Sequence, residues 1–205
     1  YYIMIIVFES GRLGNQLFQY HFLLTYRKNE EKIIYFGFDE IRKLLKIESK
    51  IYFINKNYIT KRLLHNKAIK LIINTKLFNV LNENIIDNKY MLLKNSGYFN
   101  NITISFENYF QNSALIIGNT ILNFNNLIYN RAHLIYNNLK ILKNTNTCFV
   151  HIRRGDYLFY PSINSPAVLP LEWYIKCINK ILKFDNNTYF IFFTDDQEYT
   201  KINFK

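Results

Sequence analysis

Cysteine, proline and glycine are scarce in this chain of 205 residues, which contains two, three and six of them. Two cysteines, Cys148 and Cys177, are too few and too far apart for a zinc cluster or a disulfide framework, so we expect two buried thiols. No apolar run is long enough to cross a bilayer. The opening run YYIMIIVF is also too short for a signal peptide and lacks a preceding basic region. The chain is therefore expected to be soluble and cytoplasmic.

The residues that are abundant are hydrophobic and basic. The hydrophobic fraction of 49% and the aromatic fraction of 18% exclude a disordered chain and predict a compact globular protein. The formal net charge is +11, but the lysines are dispersed and form no long run. A solvated lysine-rich surface explains this charge better than a polyanion site does. We therefore expect no nucleic-acid partner, and a basic nucleic-acid-binding module stays the lesser alternative.

The beginning of the chain reads as a strand, a glycine-containing turn, a helix and a second strand. β-branched and aromatic residues predict the strands, and apolar residues at helical spacing predict the helices. This order is typical of an α/β sheet. The predicted elements are a strand over residues 1–8, a helix from 15 to about 27, a strand over 32–38 and a short helix over 41–47.

The middle of the chain is less regular. Residues 59–73 predict a basic amphipathic helix, which either packs on its own core or lies on an anionic membrane surface. Peripheral membrane contact therefore stays an alternative to a fully soluble protein. Residues 74–146 are rich in asparagine, with an apolar run at 115–117 and a predicted helix over 127–142.

A second α/β unit is predicted from Thr147 onward. The segment CFVHI forms a strand, a helix opens at Leu171, and residues 188–193 form another strand. Parallel sheets of this kind need further strands to cover both faces, so we expect the second domain to be incomplete. The residues of the helix expected to face inward are Trp173, Tyr174, Cys177, Ile178, Ile181 and Leu182.

Polar residues follow the predicted strand ends, where open α/β sheets bind ligands. The first such segment is GRLGNQ, from Gly11 to Gln16. Its glycines, Gly11 and Gly14, permit a tight turn with exposed N–H groups, and the helix start favours a phosphate or carboxylate. A turn capped by Asn15, with no ligand, is the structural alternative.

The second segment is HIRRGDY, from His151 to Tyr157. Two adjacent arginines at a strand end pack poorly but suit an anionic diphosphate, because the guanidinium is a planar donor fork. One arginine can instead pair with a carboxylate. We expect Asp156 to fix Arg154 while Arg153 points at the ligand, with His151 on the same strand face as Arg153.

The third segment is FFTDD, which ends at Asp195 and Asp196. A carboxylate after a strand accepts the N–H pair of a guanine, caps the next helix, or binds a metal. The sequence contains no D-x-D motif, which metal-dependent nucleotide-sugar transferases usually carry. We therefore predict no metal site.

Together these motifs resemble those of the α-1,2-fucosyltransferases, glycosyltransferase family 11. The segments that carry the resemblance are GRLGNQLFQY, HIRRGDY, LEWYIKCI and FFTDD. Residues 97–99, GYF, are similar to a further family segment in which Gln-Ser follows, whereas Asn100 and Asn101 follow here. The resemblance is strong over residues 3–24 and 147–199 and thin between them.

The resemblance implies a GT-B-like fold with two Rossmann-type domains, residues 1–145 on the acceptor side and 146–205 on the GDP-sugar side. It implies transfer of L-fucose from GDP-fucose to the 2-hydroxyl of a galactoside in a glycan or glycolipid, with inversion and without metal or other cofactor. Arg153 would contact the β-phosphate and His151 would assist it. The remaining implied donor-site residues are Arg12, Gly14, Asn15 and Gln16 from the first domain, Asp195 or Asp196 at the guanine, and Arg154 and Asp156 as loop supports.

One departure from the family pattern favours a second hypothesis. Family members usually continue further and carry a segment similar to N-S-S-F-S-W-W near the donor phosphates, which does not occur before Lys205. The chain is therefore expected to be C-terminally truncated. A non-catalytic remnant with at most weak GDP binding is the alternative to an active transferase.

Overall fold

The computed structural model describes residues 3–28, 30–55, 66–86, 89–111, 122–139 and 145–204. The chain divides into two compact units, Tyr1–Ala132 and His133–Lys205. The division falls inside a helix, upstream of the boundary at residue 145 that the sequence suggests. The assignment of residues 1–145 and 146–205 to two independent domains stays a prediction.

The first unit is built on a six-stranded sheet with the order β3-β2-β1-β6-β4-β5. All neighbouring strands are parallel except β4 and β5, which form an antiparallel pair. The middle strand β1 pairs with β2 on one side and with β6 on the other. The strands are β1 (Met4–Phe8), β2 (Lys32–Phe36), β3 (Ile51–Ile54), β4 (Phe78–Ile86), β5 (Lys89–Asn95) and β6 (Phe99–Ser105).

Four helices begin within the described part of the first unit. The helix α1 connects β1 to β2, and α2 connects β2 to β3, as expected for a parallel sheet. The last of the four, α4, crosses into the second unit. The helices are α1 (Leu13–Tyr26), α2 (Asp39–Leu44), α3 (Asn66–Asn74) and α4 (Asn126–Asn138).

The core of the first unit lies between α1 and the sheet. Every second residue of β1 and β2 is buried, as the period of a strand requires. Aromatic rings fill the space: the Tyr35 ring centroid lies 5.4 Å from that of Tyr20 and 5.3 Å from that of Phe53, and Phe22 stacks on Phe110 at 4.1 Å. Fully burying side chains of this size contributes about 1.5–3 kcal/mol each.

The second unit contains a parallel strand pair with helices following each strand. The strands β7 (Asn146–Ile152) and β10 (Thr188–Thr194) pair in register from Asn146 opposite Thr188 to Ile152 opposite Thr194. The crossover between them contains a 3₁₀ turn and a short antiparallel hairpin. These elements are the 3₁₀ turn Asp156–Leu158, β8 (Pro161–Ser162), β9 (Ser165–Pro166), α5 (Leu171–Phe184) and, after β10, α6 (Gln197–Asn203).

The second unit buries much less than the sequence predicts. Its buried hydrophobic residues, among those described, are Ile152, Tyr174 and Ile191. Of the six α5 residues expected to face inward only Tyr174 is buried, and Trp173 is 48% exposed. Cys148 and Cys177 are half-buried free thiols, so the prediction of buried thiols is wrong. The reason is that two strands offer α5 too little surface to cover its apolar face.

Other predictions differ from the structure in extent. The predicted strands that correspond to β1, β2, β7 and β10 are present, as are the predicted helices that correspond to α1, α2, α4 and α5, with ends shifted by a few residues. The helix predicted over 59–73 is present as α3 in the part that the structure describes. The sequence analysis did not predict β3, which has only four residues. It also did not predict β4 to β6, because asparagine or lysine interrupts their apolar alternation. The predicted apolar run at 115–117 and residues 59–65 of the predicted amphipathic helix lie outside the described residues. Within the described ranges, no helix is long and apolar enough to span a bilayer.

Candidate active site

The loop after β1 depends on Gly11. This residue has a φ of +73°, a conformation that residues with a Cβ rarely adopt, and an added Cβ would lie 2.1 Å from Nδ2 of Asn15. The helix α1 begins at Leu13 with Arg12 at its N-cap and no capping side chain. The alternative in which Asn15 caps the helix is therefore wrong. Asn15 lies in the first turn, where its Oδ1 accepts a 2.6 Å hydrogen bond from Nε2 of Gln111.

Two buried residues, Gln19 and Asn108, hold this loop through hydrogen bonds. Oε1 of Gln19 accepts a hydrogen bond from the backbone N–H of Ser10 at 3.3 Å, and Nε2 of Gln19 donates to the backbone oxygen of Asn108 at 2.5 Å. Gln19 is 1% exposed and Asn108 is 6% exposed. The turn between β1 and α1 is thereby tied to the segment after β6.

Asn108 uses its side chain to hold the neighbouring strand end. Its Oδ1 accepts the backbone N–H of Glu83 at 2.8 Å, and its Nδ2 donates to the oxygen of Leu81 at 2.9 Å. Oε2 of Glu83 in turn accepts the N–H of Phe110 at 2.7 Å. These side chains thus pair the backbone groups of Leu81, Glu83 and Phe110, as buried polar groups require. The loop in the first unit is therefore preformed.

A cavity of about 590 Å³ opens beside this loop. Gln16 lines it, is 7% exposed, and donates from Nε2 to the oxygen of Gly11 at 3.3 Å. Its Oε1 is buried without a hydrogen-bond partner among the described residues. Gly14 lies in the first helical turn, and an added Cβ there would meet nothing within 4 Å. The other lining residues are Glu9, Gly11, Arg12, Leu13, Asp39 and Glu40.

The loop after β7 is held by charged groups. The Arg153 guanidinium donates a bidentate pair of hydrogen bonds to Asp156, from Nε to Oδ1 at 3.2 Å and from Nη2 to Oδ2 at 3.0 Å. It also lies 4.1 Å from the centroid of the Tyr157 ring. The hydrogen bonds that Arg153 donates to Asp156 raise the pKa of Arg153 further above its ordinary value. The Arg153 and Asp156 side chains remain about one third and two fifths exposed, so a ligand can reach both.

The Arg154 side chain contacts two residues that follow β10, Asp196 and Tyr199. Its Nε donates to Oδ2 of Asp196 at 3.1 Å, and its guanidinium carbon lies 3.6 Å from the centroid of the Tyr199 ring. The prediction that Asp156 fixes Arg154 is therefore wrong, since Asp156 holds Arg153. The backbone N–H of Arg154 donates to Oδ1 of Asp195 at 2.8 Å.

Asp196 also caps the helix that follows β10. Its Oδ1 accepts the N–H of Tyr199 at 3.0 Å, as an N-cap residue does. Asp195 is exposed, and its Oδ2 would lie 2.8 Å from a Cβ added to Gly155. His151 is exposed on β7 in register with Phe193, one position before the strand ends. Five of the predicted residues thus lie in one cluster: Arg153, Arg154, Asp156, Asp195 and Asp196.

Comparison with known proteins decides the family. The family model of glycosyl transferase family 11 matches residues 3–205.

The chain belongs to glycosyl transferase family 11.

A curated relative gives a shorter match to this family 11 chain. The O-antigen biosynthesis glycosyltransferase WbnK of Escherichia coli is 37% identical over 65 residues, which are 31% of this chain and 22% of that protein. The chain therefore matches less than a quarter of that relative's length. No solved structure matches the chain.

The family 11 motifs occupy loops in both units. Arg12, Gly14, Asn15 and Gln16 surround the start of α1, whereas the arginines and aspartates follow β7 and β10. Among the described residues, no group of three or more histidine, cysteine, aspartate or glutamate side chains is arranged to hold a metal ion. Sequence reasoning missed the residues that support the loops, which are Glu9, Gln19, Asn108, Gln111, Tyr157 and Tyr199. Gln19 and Tyr157 lie within the sequence motifs, but neither was assigned a role there.

Proposed function

We propose that this family 11 protein transfers L-fucose from GDP-fucose to the 2-hydroxyl of a galactoside, with inversion and without a metal ion. Family membership supports the transferase class. The donor, the linkage and the mechanism are inferred from the resemblance of the motifs and from the charges at the ends of β7 and β10. The acceptor is a galactose-containing glycan or glycolipid, and no nucleic acid is expected as a partner.

The observation that carries the proposal is the orientation of Arg153. Asp156 contacts the guanidinium through two nitrogens, and Tyr157 lies against the group. An arginine that is ordered before the ligand arrives loses less conformational freedom on binding. Its planar donor fork suits the oxygens of a diphosphate.

The chemical step requires this kind of fixed positive charge. When the bond between fucose and GDP breaks, the sugar develops oxocarbenium character and the diphosphate gains negative charge. A preorganised donor stabilises that charge without moving during the reaction. Arg153 is assigned this role at the β-phosphate. His151 lies near the end of β7, two residues before Arg153, and we assign it an assisting role.

Asp195 suits the guanine better than Asp196 does. Asp196 already uses Oδ1 for the Tyr199 N–H and Oδ2 for Arg154. Asp195 is exposed, although Oδ1 accepts the Arg154 N–H. A carboxylate of this kind accepts the paired N–H groups of a guanine edge. Arg154 then serves to hold the loop between the two strand ends.

We assign the loop that contains Gly14, in the first unit, to donor binding as well, because its motif resembles that of the family. The open space beside this glycine allows a ligand to approach the helix start, where first-turn N–H groups favour a negative charge. Arg12 and Asn15 are the side chains assigned to this approach, and Gln16 lies beside them. We propose that the protein is cytoplasmic and contacts the membrane peripherally.

The test is transfer of fucose from GDP-fucose to a β-galactoside by the chain, with Arg153→Ala, Arg153→Lys and Arg131→Ala compared. Loss of one preorganised donor is expected to lower the rate on the order of a hundredfold in Arg153→Ala. Arg153→Lys should recover only part of the rate, because it keeps the charge and loses the fork. Arg131 is an exposed arginine of α4 and controls for loss of charge. Equal rates in the parent chain and Arg153→Ala would exclude the assigned role.

The same preparations separate the alternative hypotheses. A non-catalytic remnant predicts a cooperative unfolding transition with no transfer and weak GDP binding at most. A nucleic-acid-binding module predicts tight RNA or DNA binding that weakens steeply with salt. Neither alternative predicts a special role for Arg153 in fucose transfer.

A further inference from the structure

The segment between the arginine loop and α5 differs in composition from the rest of the chain. Residues 157–171 contain no Asp, Glu, Lys or Arg, although these residues make up 20% of the chain. The segment also contains all three prolines, Pro161, Pro166 and Pro170. Because proline fixes its own φ, such a segment has less conformational freedom to lose when a ligand binds. This composition suits a preformed, uncharged binding surface.

The segment forms the short hairpin of β8 and β9, which exposes apolar side chains. The exposed fractions are 65% for Phe159, 63% for Tyr160 and 75% for Ile163. Backbone hydrogen bonds close the hairpin without these side chains, since the N–H of Ala167 donates to the oxygens of Tyr157 at 3.1 Å and of Tyr160 at 2.7 Å. The exposed side chains are therefore available for a ligand, and neighbouring exposed apolar side chains are typical of a binding surface.

The base of the hairpin is attached to the loop that contains Arg153. The backbone N–H of Phe159 donates to the backbone oxygen of Asp156 at 3.2 Å. The Tyr157 ring lies between the two: its centroid is 4.1 Å from the guanidinium carbon of Arg153 and 6.3 Å from the centroid of the Tyr160 ring. The two tyrosine rings thus extend from the guanidinium to the hairpin.

The sugar of the proposed donor would lie beside these rings. In GDP-fucose a single oxygen joins the sugar to the β-phosphate, so a β-phosphate bound at Arg153 brings the sugar close to Tyr157 and Tyr160. L-Fucose is 6-deoxy-L-galactose, and it carries a methyl group where galactose carries a hydroxymethyl group. An aromatic ring packs well against a methyl group, whereas a hydroxyl group placed against the ring loses hydrogen bonds to water.

We propose that Tyr160 is a specificity-determining residue, which contacts the methyl-bearing edge of the donor sugar and favours a 6-deoxyhexose over its 6-hydroxy analogue. The inference rests on the proposed function, because it requires the donor phosphate at Arg153. Tyr157 is less suited to this contact, since its ring already packs against the guanidinium. A lipid surface also accepts exposed apolar side chains, but this segment lacks the lysines and arginines that attract anionic lipids.

The test compares GDP, GDP-L-fucose and GDP-L-galactose, which differ only in the sugar, by calorimetric titration into the 205-residue chain. The parent chain should bind GDP-L-fucose about tenfold more tightly than GDP-L-galactose, because small changes at an apolar contact alter affinity by this order. Tyr160→Ser should abolish the preference and leave the GDP affinity unchanged. Tyr160→Phe should keep the preference, because the ring and not the hydroxyl makes the contact.

Phe184→Ser is the matched control and should keep the preference. Phe184 is an aromatic residue that is 89% exposed, and it lines a cavity at the opposite end of β7 together with Asn146 and Thr188. Its loss therefore tests whether any exposed aromatic residue of the second unit affects sugar selection.

The outcomes separate this inference from the proposed function. A preference for GDP-L-fucose that persists in Tyr160→Ser, or that is absent from a parent chain that binds GDP, would overturn the role of Tyr160 and leave the donor proposal intact. An equal loss of affinity for all three ligands in Tyr160→Ser would also overturn it, because the substitution would then act on the arginine loop. A parent chain that binds none of the three ligands would contradict the proposed function and this inference with it.

Discussion

The two loops that carry the family motifs are held in different ways. In the first unit, hydrogen bonds of the buried residues Gln19 and Asn108 fix the loop. In the second unit, Arg153 and Arg154 hold the loop through partly exposed ion pairs with Asp156 and Asp196. Buried hydrogen bonds are not screened by salt, whereas exposed ion pairs are weak and screened.

This difference matters for ligand binding. A loop fixed by buried amides presents the same shape with or without a ligand. A loop held by partly exposed charged groups leaves those groups accessible, so that a phosphate can contact Arg153 while Asp156 keeps the guanidinium oriented. The shape of the first loop therefore depends on buried hydrogen bonds, whereas the second loop presents a fixed positive charge to an anion.

The largest effect is expected from removing the amide that holds the first loop. Asn108→Ala leaves the N–H of Glu83 and the oxygen of Leu81 without partners, and we expect a loss of about 2–4 kcal/mol in the free energy of unfolding. Urea denaturation followed by circular dichroism measures it. Asn130→Ala, at an exposed position of α4, is the control and should change stability little. An Asn108→Ala chain as stable as the control would show that the loop is not held by these bonds.

A gain in stability is expected from Tyr35→Phe. The Tyr35 hydroxyl is buried without a hydrogen-bond partner among the described residues, so its removal should add about 1 kcal/mol. Burial raises the pKa of Tyr35 well above its ordinary value of 10.0, and it raises the pKa of Tyr20 to about 12. The unfolded chain therefore loses these protons first, and stability present below pH 10 falls as the pH rises above it.

Stability measured between pH 8 and about pH 11 tests this point, since an unfolded tyrosine ionises near 10. The alkaline loss should be smaller in Tyr35→Phe than in the parent chain. Tyr189→Phe, at a partly exposed position of the second unit, serves as the control. Equal alkaline losses in all three proteins would show that burial of Tyr35 does not control this pH dependence.

Gly14→Ala should separate stability from donor binding. Replacing a helical glycine by alanine adds about 0.5–1 kcal/mol, and the structure leaves room for the new methyl group. The same methyl would obstruct a ligand that approaches the helix start. We expect a higher melting temperature together with weaker GDP-fucose binding. A more stable variant with unchanged GDP-fucose affinity would remove Gly14 from the donor site.

The smallest effect is expected from Asp156→Asn. The exposed pair with Arg153 is weakened, and we expect the transfer rate to fall roughly twofold to fivefold. The loss should shrink at high salt, because the parent chain's pair is then screened as well. Rates at low and high salt measure it, with Glu172→Gln as a control for loss of a negative charge. A loss that does not depend on salt would contradict a purely electrostatic role.

The sequence predicted some of these features well and others poorly. The strands β1 and β2 and the helix α1 were predicted because their apolar periodicity is regular, and the motif loops were found because they follow strand ends. The pairing of Asp156 was mispredicted, since either arginine can reach it from the sequence spacing alone. Asn108 could not be predicted, because its partners Gln19 and Leu81 are distant in sequence and only the folded sheet brings them together.

The central claim is that the second loop binds a guanine nucleotide diphosphate through Arg153. The most direct measurement is the melting temperature with GDP, GDP-fucose and UDP at matched concentrations, followed by the fluorescence of Trp173, the single tryptophan, which lies in the second unit. Ligands that bind the folded state raise this temperature by mass action. The account predicts a rise with GDP and GDP-fucose that UDP does not match and that Arg153→Ala abolishes. Equal rises with UDP, or a rise that persists in Arg153→Ala, would contradict it.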